Sequence, residues 1–105
     1  MNKLFRLDGK TVVLTGAAGR LGSRFAHILC ASGANVILVD KDTKKNTKLK
    51  LELSKKYDTT CEVFDINITK ESAVKEKVKK IIKKFKKIDV LINNAHFVPR
   101  DHPKR

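Results

Sequence analysis

Residues Thr11–Gly22 read TVVLTGAAGRLG, an apolar run that continues into three glycines at equal spacing. The run Thr11–Thr15 predicts a β-strand, and the apolar spacing that begins near Arg20 predicts an α-helix. Glycines at such a junction allow a tight turn, and the turn points backbone N–H groups at one spot. The helix dipole adds partial positive charge at the same spot. The stretch therefore predicts a strand–turn–helix unit that suits a phosphate group.

The rest of the chain repeats this alternation of apolar runs and helical patterns. Further strands are predicted at Asn35–Asp40, Thr60–Ile66 and Val90–Asn93, and further helices at Thr43–Tyr57 and from Thr69 onwards. The strand cores are continuous apolar runs, which are typical of parallel strands covered by helices on both faces. We therefore predict an α/β fold, a partial Rossmann-type doubly wound parallel sheet of about four strands in the order 3-2-1-4, with three helices.

Each predicted helix has an apolar face that we expect to be buried. On the first helix this face comprises Leu21, Phe25, Ile28 and Leu29. On the second it includes Leu49, Leu51 and Leu53, and on the third Val74, Val78, Ile81, Ile82, Phe85 and Ile88. His27 follows Arg20 and Arg24 at helical spacing, so we expect it on a solvated basic face.

The fourth strand is an edge in the predicted order. Its run Val90–Ile92 is nevertheless as apolar as that of a buried central strand. A hydrophobic edge is open to pairing with another chain. We therefore expect self-association through this strand.

The charge balance is strongly basic. The 105 residues include 24 Lys and Arg against 11 Asp and Glu, a net charge of +13, which by itself favours nucleic acid or an anionic membrane as partner. Most lysines, however, lie in Lys41–Lys56 and Lys70–Lys87, where they form the solvent faces of predicted helices. Aromatic residues make up 6% and do not interleave with the lysines as a stacking platform requires. Nucleic-acid binding is therefore not favoured, and no apolar stretch approaches the ~20 residues of a membrane span.

Cysteine usage and the N-terminal segment bear on location. Cys30 and Cys61 are far apart in the sequence and have no CxxC partner, so we expect buried free thiols in a reducing compartment. The first ten residues have no apolar core of a signal peptide. We therefore predict a cytoplasmic location. The histidines His96 and His102 have no partners at metal-ligand spacing, so no metal site is predicted.

An acidic residue ends the second predicted strand. Asp40 lies 18 residues after Gly22, close to the ~20 expected between a glycine motif and a ribose-binding carboxylate. Such a carboxylate accepts the ribose hydroxyls of an adenosine and repels a 2′-phosphate, which favours NAD over NADP. Lys41 and Arg20 argue the other way, because either could pair with that phosphate. A turn or cap role is the alternative for Asp40.

Four motifs occur in order along the chain: TGAAGRLG at Thr15–Gly22, the acid at Asp40, FDI at Phe64–Ile66 and INNA at Ile92–Ala95. Together they resemble the N-terminal part of a short-chain dehydrogenase/reductase over nearly all of residues 8–96. The glycine spacing is similar to the extended branch of that family, whereas Asn-Asn-Ala is typical of the shorter branch. The resemblance implies an NAD(P)-dependent oxidoreductase.

The resemblance also implies a cofactor-binding set. It comprises Gly16, Gly19, Arg20, Leu21, Gly22, Asp40, Asp65, Ile66, Asn93 and Ala95. The three glycines would line the pyrophosphate, and Asp40 would hold the adenosine ribose. Asp65 and Ile66 would flank the adenine. Asn93 and Ala95 would lie beside the cofactor at the end of the fourth strand, with Asn93 also bracing the sheet.

The catalytic residues that the resemblance implies are a serine and a Tyr-x-x-x-Lys pair. The one tyrosine is Tyr57, and Cys61 stands four residues after it, where the pair requires lysine. Every serine precedes the fourth strand. We therefore predict that residues 1–95 are an NAD(P)-binding portion without catalytic residues, and that residues 96–105 are a polar tail at the truncated start of the catalytic half.

The favoured interpretation is the dinucleotide-binding part of an oxidoreductase whose full-length form acts on an unknown small molecule. A stand-alone, non-catalytic nucleotide-binding module is one alternative. A basic nucleic-acid-binding domain is the other, less favoured one.

Overall fold

The computed structural model describes residues 6–65 and 71–94. Within these ranges strands and helices alternate: β1 (Thr11–Thr15), α1 (Arg20–Ala31), β2 (Asn35–Asp40), α2 (Thr43–Lys56), β3 (Cys61–Asp65), α3 (Glu71–Phe85) and β4 (Val90–Asn93). The strands form one parallel sheet in the order β3-β2-β1-β4. The predicted fold class and strand order are confirmed. The predicted ends at Ile66 and Thr69 lie outside the described residues.

Both faces of the central strands β1 and β2 are covered, which explains why these strands are continuously apolar. Alternate residues of β1 and β2 enter two separate clusters. One face packs against α1 and α2, in a cluster that includes Val12, Leu14, Val36, Leu38, Ala26, Leu29, Leu49 and Leu53. The other packs against α3, in a cluster of Val13, Ile37, Val39 and Ile81 with Phe64, Val74, Phe85 and Ile88 beside it.

The buried face of α1 differs from the predicted one. Its buried residues are Gly22, Ala26, Leu29 and Cys30. Leu21 and Ile28 are exposed, so the prediction was wrong for these two residues and right for Leu29. The reason is that Gly22 packs against the β1–α1 turn and fixes the rotation of the helix. Small residues then face the sheet, and Leu21 is turned about 100° away from it.

The other helices also bury less than the sequence predicts. In α2, Leu49 and Leu53 are buried one turn apart, whereas Leu51 is 57% exposed because two residues correspond to about 200° of rotation. In α3, Ile81 is buried, and the neighbouring Val78 and Ile82 are exposed. The expectation that all of these residues face the core was therefore wrong for the exposed ones.

The strand β4 is the edge of the described sheet next to β1. It pairs with β1 in register from Val12↔Val90 to Thr15↔Asn93. Leu91 is 65% exposed, and Val90 is exposed as well. The apolar run of β4 is thus not buried in the part of the chain that the structure describes, although its position at the edge matches the prediction.

Candidate cofactor site

The turn between β1 and α1 depends on a glycine backbone. Gly16 has a φ of +66°, a conformation that side-chain-bearing residues rarely adopt. The N–H of Gly19 donates to the carbonyl oxygen of Gly16 at 3.2 Å, and that of Ala17 donates to Val39 O at 3.3 Å. These bonds fold the chain back at the carboxyl end of β1 and tie the turn to β2.

The third glycine allows the helix to contact the turn. A Cβ at Gly22 would lie 2.0 Å from the carbonyl oxygen of Gly16 and 3.0 Å from Ala17 Cα. Gly19 is different, because a Cβ there would meet only Gly16 O, at an ordinary 3.4 Å. The packing of the protein therefore requires glycine at position 22 but not at position 19.

The N-terminus of α1 is directed at the space beyond this turn. Gly19 is the N-cap residue, with an extended backbone, and no side chain hydrogen-bonds as a cap. The first helical turn contains no acidic residue. Ser23 N–H makes the first intrahelical bond, to Gly19 O at 2.9 Å. The backbone N–H groups before Ser23 in the first helical turn have no acceptor within the helix. Together with the helix dipole, they form an environment that suits an anion.

The carboxylate of Asp40 is fixed beside this turn. Its Oδ2 accepts a hydrogen bond from Ala18 N–H at 2.9 Å, and its Oδ1 accepts one from Asp42 N–H at 2.8 Å. Each carboxylate oxygen has capacity for a further donor. The side chain therefore has the turn role that was the alternative in the sequence analysis.

The end of β3 lies next to Asp40. Asp65 is the register partner of Asp40 in the parallel pair β2–β3, so the backbones of the two acids are adjacent at the carboxyl edge of the sheet. The side chain of Asp65, and all of Ile66 and Ala95, lie outside the described residues.

The end of β4 is joined to β1 by side-chain hydrogen bonds. Thr15 Oγ1 donates to Asn93 Oδ1 at 2.9 Å. Asn94 Nδ2 donates to the carbonyl oxygen of Gly16 at 3.3 Å. Asn93 thus contacts β1, and Asn94 supports the glycine turn directly. The sequence prediction missed Asn94, although its place inside the Asn-Asn-Ala motif was a usable signal.

These groups meet where parallel sheets place their ligands. The chain runs from β1 outward to β2 and β3, then crosses back to β4 on the other side of β1. The order therefore reverses between β1 and β4, and ligands of open α/β sheets bind at the carboxyl ends of strands beside such a reversal. Gly16, Asp40, Asn93 and Asn94 all lie at that edge.

A second polar cluster lies elsewhere, between α1 and α2. His27 Nδ1 lies 3.1 Å from the Tyr57 hydroxyl, and His27 Nε2 lies 2.5 Å from Glu52 Oε2. His27 is therefore a partly buried, partnered side chain, and its expected place on a solvated basic face was wrong. Because α2 begins at the carboxyl end of β2, its last residues and Tyr57 lie towards the opposite edge of the sheet.

The described residues contain neither a membrane-spanning helix nor a metal-ligand cluster. Among them, no helix has the length and apolar character needed to cross a membrane. The same residues contain no group of three or more His, Cys, Asp or Glu side chains that could hold a metal ion.

Comparison with known proteins identifies the family. The model of the short chain dehydrogenase family matches residues 10–103. The chain belongs to the short-chain dehydrogenase family. The match includes β1, the glycine turn, Asp40 and the Asn-Asn-Ala motif, so the resemblance predicted from those motifs is confirmed.

Curated short-chain dehydrogenases resemble the chain over most of its length. A short chain dehydrogenase/reductase of Gibberella zeae, dpfgG, is 36% identical over 97 residues, which cover 92% of this chain and 35% of that protein. The 15-hydroxyprostaglandin dehydrogenase [NAD(+)] of Bos taurus is 31% identical over 90 residues, which cover 85% of this chain and 34% of that protein. The chain thus spans about a third of the length of these relatives.

Solved structures of short-chain dehydrogenases share the fold. The citronellol catabolism dehydrogenase of Pseudomonas aeruginosa PAO1 superposes with a TM-score of 0.84 at 32% identity, over 91% of this chain and 40% of its own. An NAD+-bound xylitol dehydrogenase gives 0.82 at 30% identity, over 86% and 34%. A metagenomic short-chain oxidoreductase in complex with NADP gives 0.82 at 26%, over 87% and 41%. Both dinucleotides therefore occur among the neighbours.

Proposed function

We propose that this chain is the dinucleotide-binding part of a short-chain dehydrogenase/reductase-type oxidoreductase and that it prefers NAD. The observation that carries the proposal is the arrangement at the carboxyl edge of the sheet. The N-terminus of α1, where the N-cap residue Gly19 makes no side-chain cap hydrogen bond within residues 6–65 and 71–94, faces the same edge as the Asp40 carboxylate, which Ala18 N–H holds in place. One end of this site suits a pyrophosphate, and the other suits a ribose.

The residues present fit such a group. Among the described residues, a Cβ at Gly19 would meet only the carbonyl oxygen of Gly16, at 3.4 Å, so the space beside Gly19 is open to a bound group. A pyrophosphate at the α1 N-terminus would occupy that space and receive N–H groups of the first helical turn. In this proposal Gly16, Gly19, Arg20, Leu21 and Gly22 line the pyrophosphate.

The remaining cofactor contacts follow the strand ends. Asp40 binds the adenosine ribose, and Asp65 and Ile66 flank the adenine next to it. Asn93 and Ala95 lie beside the nicotinamide half, at the end of β4. When bound, the nicotinamide cofactor supplies hydride transfer, and the residues of this chain bind and orient it.

The preference for NAD rests on charge. A 2′-phosphate would place negative charge next to the Asp40 carboxylate. Two backbone N–H groups, of Ala18 and Asp42, hold this carboxylate in a fixed orientation. Lys41 and Arg20 are both exposed near the strand end and offer positive charge to such a phosphate. We propose that the fixed carboxylate outweighs them, because long exposed side chains lose conformational entropy when they pair.

We assign no catalytic step to this chain. Tyr57 is bonded to His27 towards the opposite edge of the sheet from the proposed site. We propose that residues 1–95 form the NAD(P)-binding portion and residues 96–105 the start of the catalytic half. The substrate is then a small molecule bound by parts of a longer protein, which we propose to be cytoplasmic.

We further propose that the chain self-associates through β4. The exposed residues Leu91 of β4 and Val78 of α3 border an open apolar hollow of about 250 Å³, which is also lined by Val13, Val39, Val74 and Ile81 among others. The outer edge of β4 offers backbone groups next to this apolar surface. A stand-alone module would instead be monomeric and stable.

The test is a calorimetric titration of the 105-residue chain with NAD and with NADP. Asp40→Asn removes the carboxylate charge and is expected to weaken NAD binding about tenfold, because hydrogen bonds to charged groups contribute roughly 1.5–3 kcal/mol. Asp42→Asn is the matched control. Asp42 Oδ1 caps α2 by accepting Lys45 N–H at 3.1 Å, and asparagine caps equally well, so this variant loses a neighbouring charge without losing structure.

We expect Asp42→Asn to bind NAD within about twofold of wild type. A folded chain that binds neither dinucleotide would refute the proposal for this chain. Equal losses in the two variants would remove Asp40 from its proposed role. Salt-dependent binding to duplex DNA without any dinucleotide binding would favour the nucleic-acid alternative.

A further inference from the structure

We propose that Cys30 and Cys61 form an oxidation site, at which a peroxide converts two buried thiols into an intramolecular disulfide that joins α1 to β3. The sequence separates these residues by 31 positions and gives no motif that connects them. The proposal does not depend on dinucleotide binding.

The fold brings the two sulfurs into contact. Cys30 Sγ lies 3.4 Å from Cys61 Sγ, within a cluster of buried apolar residues. The two residues are 2% and 4% exposed. A disulfide bond is about 2.04 Å long, so each sulfur has to move by about 0.7 Å if the two share the displacement. Rotation of the two side chains is a smaller change than a backbone shift.

The two cysteines lie at the ends of their elements. Cys30 is near the last turn of α1, and Cys61 is the first residue of β3. The strand β3 is an edge of the described sheet and pairs there with β2. Strand ends at a sheet edge open more readily than central strands, which gives a small oxidant access to buried sulfur.

The two thiols differ in acidity because they share one hydrogen bond. Donation from Cys61 lowers the pKa of Cys30, despite burial that opposes ionisation. The same hydrogen bond, with burial, raises the pKa of Cys61. Of the two thiols, Cys30 is therefore the one that ionises more readily. A thiolate is the form that peroxide oxidises.

The chemistry takes place in two steps that use one hydrogen peroxide. The Cys30 thiolate attacks one peroxide oxygen, the O–O bond breaks, and the products are a Cys30 sulfenic acid and hydroxide, which takes up a proton to become water. The Cys61 sulfur then attacks the sulfenic sulfur, the S–O bond breaks, and the sulfenic OH leaves as hydroxide, which takes up the Cys61 thiol proton to become water. In total, two thiols and one peroxide give one disulfide and two waters.

The position of the link decides its consequence. The strand β3 begins, and α1 ends, at the amino ends of the parallel strands, whereas Gly16 and Asp40 lie at the carboxyl ends. A disulfide there ties the edge strand to α1 and leaves the carboxyl edge unchanged. We therefore expect oxidation to stabilise the domain and not to alter ligand access. Closing a loop of this length restricts the unfolded chain and is expected to raise the melting temperature by roughly 10 °C or more.

The experiment exposes the folded full chain to hydrogen peroxide and maps its peptides by mass spectrometry without reduction. We expect a Cys30–Cys61 peptide that has lost two hydrogen masses, a higher melting temperature, and reversal of both by dithiothreitol. Cys30→Ser and Cys61→Ser must lack the linked peptide. Cys61→Ser is further expected to accumulate oxidised Cys30, because the resolving sulfur is missing.

The same peroxide treatment of wild type in urea separates proximity from reactivity. If the two thiols stay free in the folded chain at doses that oxidise the unfolded chain, the proposal is overturned. Links only between chains, or a sulfinic acid on either cysteine of wild type without the linked peptide, would overturn it as well. Should a serine variant not fold, the comparison of reduced and oxidised wild type still decides.

Discussion

Replacing Gly22 by alanine puts a methyl group where α1 contacts its own preceding turn. The added Cβ would lie 2.0 Å from Gly16 O and 2.9 Å from Gly16 C, whereas real Cβ atoms essentially never approach within 3.0 Å. The neighbouring atoms are backbone, so the helix and the turn must separate by about 1 Å, as in an overpacked core. Such overpacking costs about 1–3 kcal/mol, and alanine regains less than about 1 kcal/mol of helix propensity.

We therefore expect Gly22→Ala to lower the free energy of unfolding by roughly 1–2 kcal/mol. Urea unfolding followed by far-ultraviolet circular dichroism should show a lower midpoint at an unchanged slope. Gly19→Ala is the control, because its backbone φ of −74° suits alanine and its Cβ would make an ordinary contact. It is expected to unfold within about 0.5 kcal/mol of wild type. Unchanged stability of Gly22→Ala, or equal losses in both variants, would refute this account of the turn.

Three further predictions concern the rest of the domain. Thr11 N–H donates to Asp89 Oδ2 and lowers the pKa of the Asp89 carboxyl. The stabilisation from this hydrogen bond is present above about pH 4 and is lost as the pH falls through the lowered pKa. The stability of Asp89→Asn, measured by acid titration, should therefore depend less on pH in this acidic range. Leu53→Ala should lower the free energy of unfolding by about 2–5 kcal/mol, because Leu53 is buried. Leu51→Ala should lower it by less than about 0.5 kcal/mol, because Leu51 is exposed. Equal losses of the two variants in urea unfolding would contradict this prediction. Leu91→Lys should reduce self-association in sedimentation velocity, and a wild-type chain that stays monomeric at all concentrations would rule out the proposed β4 contact.

The fold was predictable because its signals are local. Continuous apolar runs identify the strands, and apolar residues at helical spacing, with lysines on the opposite face, identify the helices. The rotation of α1 was not predictable in the same way. It depends on the contact between Gly22 and Gly16 O, and this contact turns Leu21 and Ile28 away from the sheet. A helical periodicity shows that a face exists but not which neighbouring atom limits its rotation.

The site was predictable where its residues form ordered motifs and was missed where they meet through space. The position of Asp40 at the end of β2, beside the glycine turn, was predicted from its spacing to the glycines. Its bond to Ala18 N–H, and the bond from Asn94 to Gly16 O, join residues that the sequence separates widely. The contact between Cys30 and Cys61 was missed for the same reason, although the expectation that both are buried is confirmed.

The most direct test of the central claim is an NMR titration of the 15N-labelled chain with NAD. The claim predicts that amide shifts concentrate at the carboxyl edge of the sheet, in residues 16–22, 40–42 and 93–94. Amides near His27, Tyr57 and Cys61, at the opposite edge, should stay unchanged. Shifts confined to the lysine face of α3, or no shifts in a chain with a dispersed spectrum, would contradict the claim that this edge binds a dinucleotide.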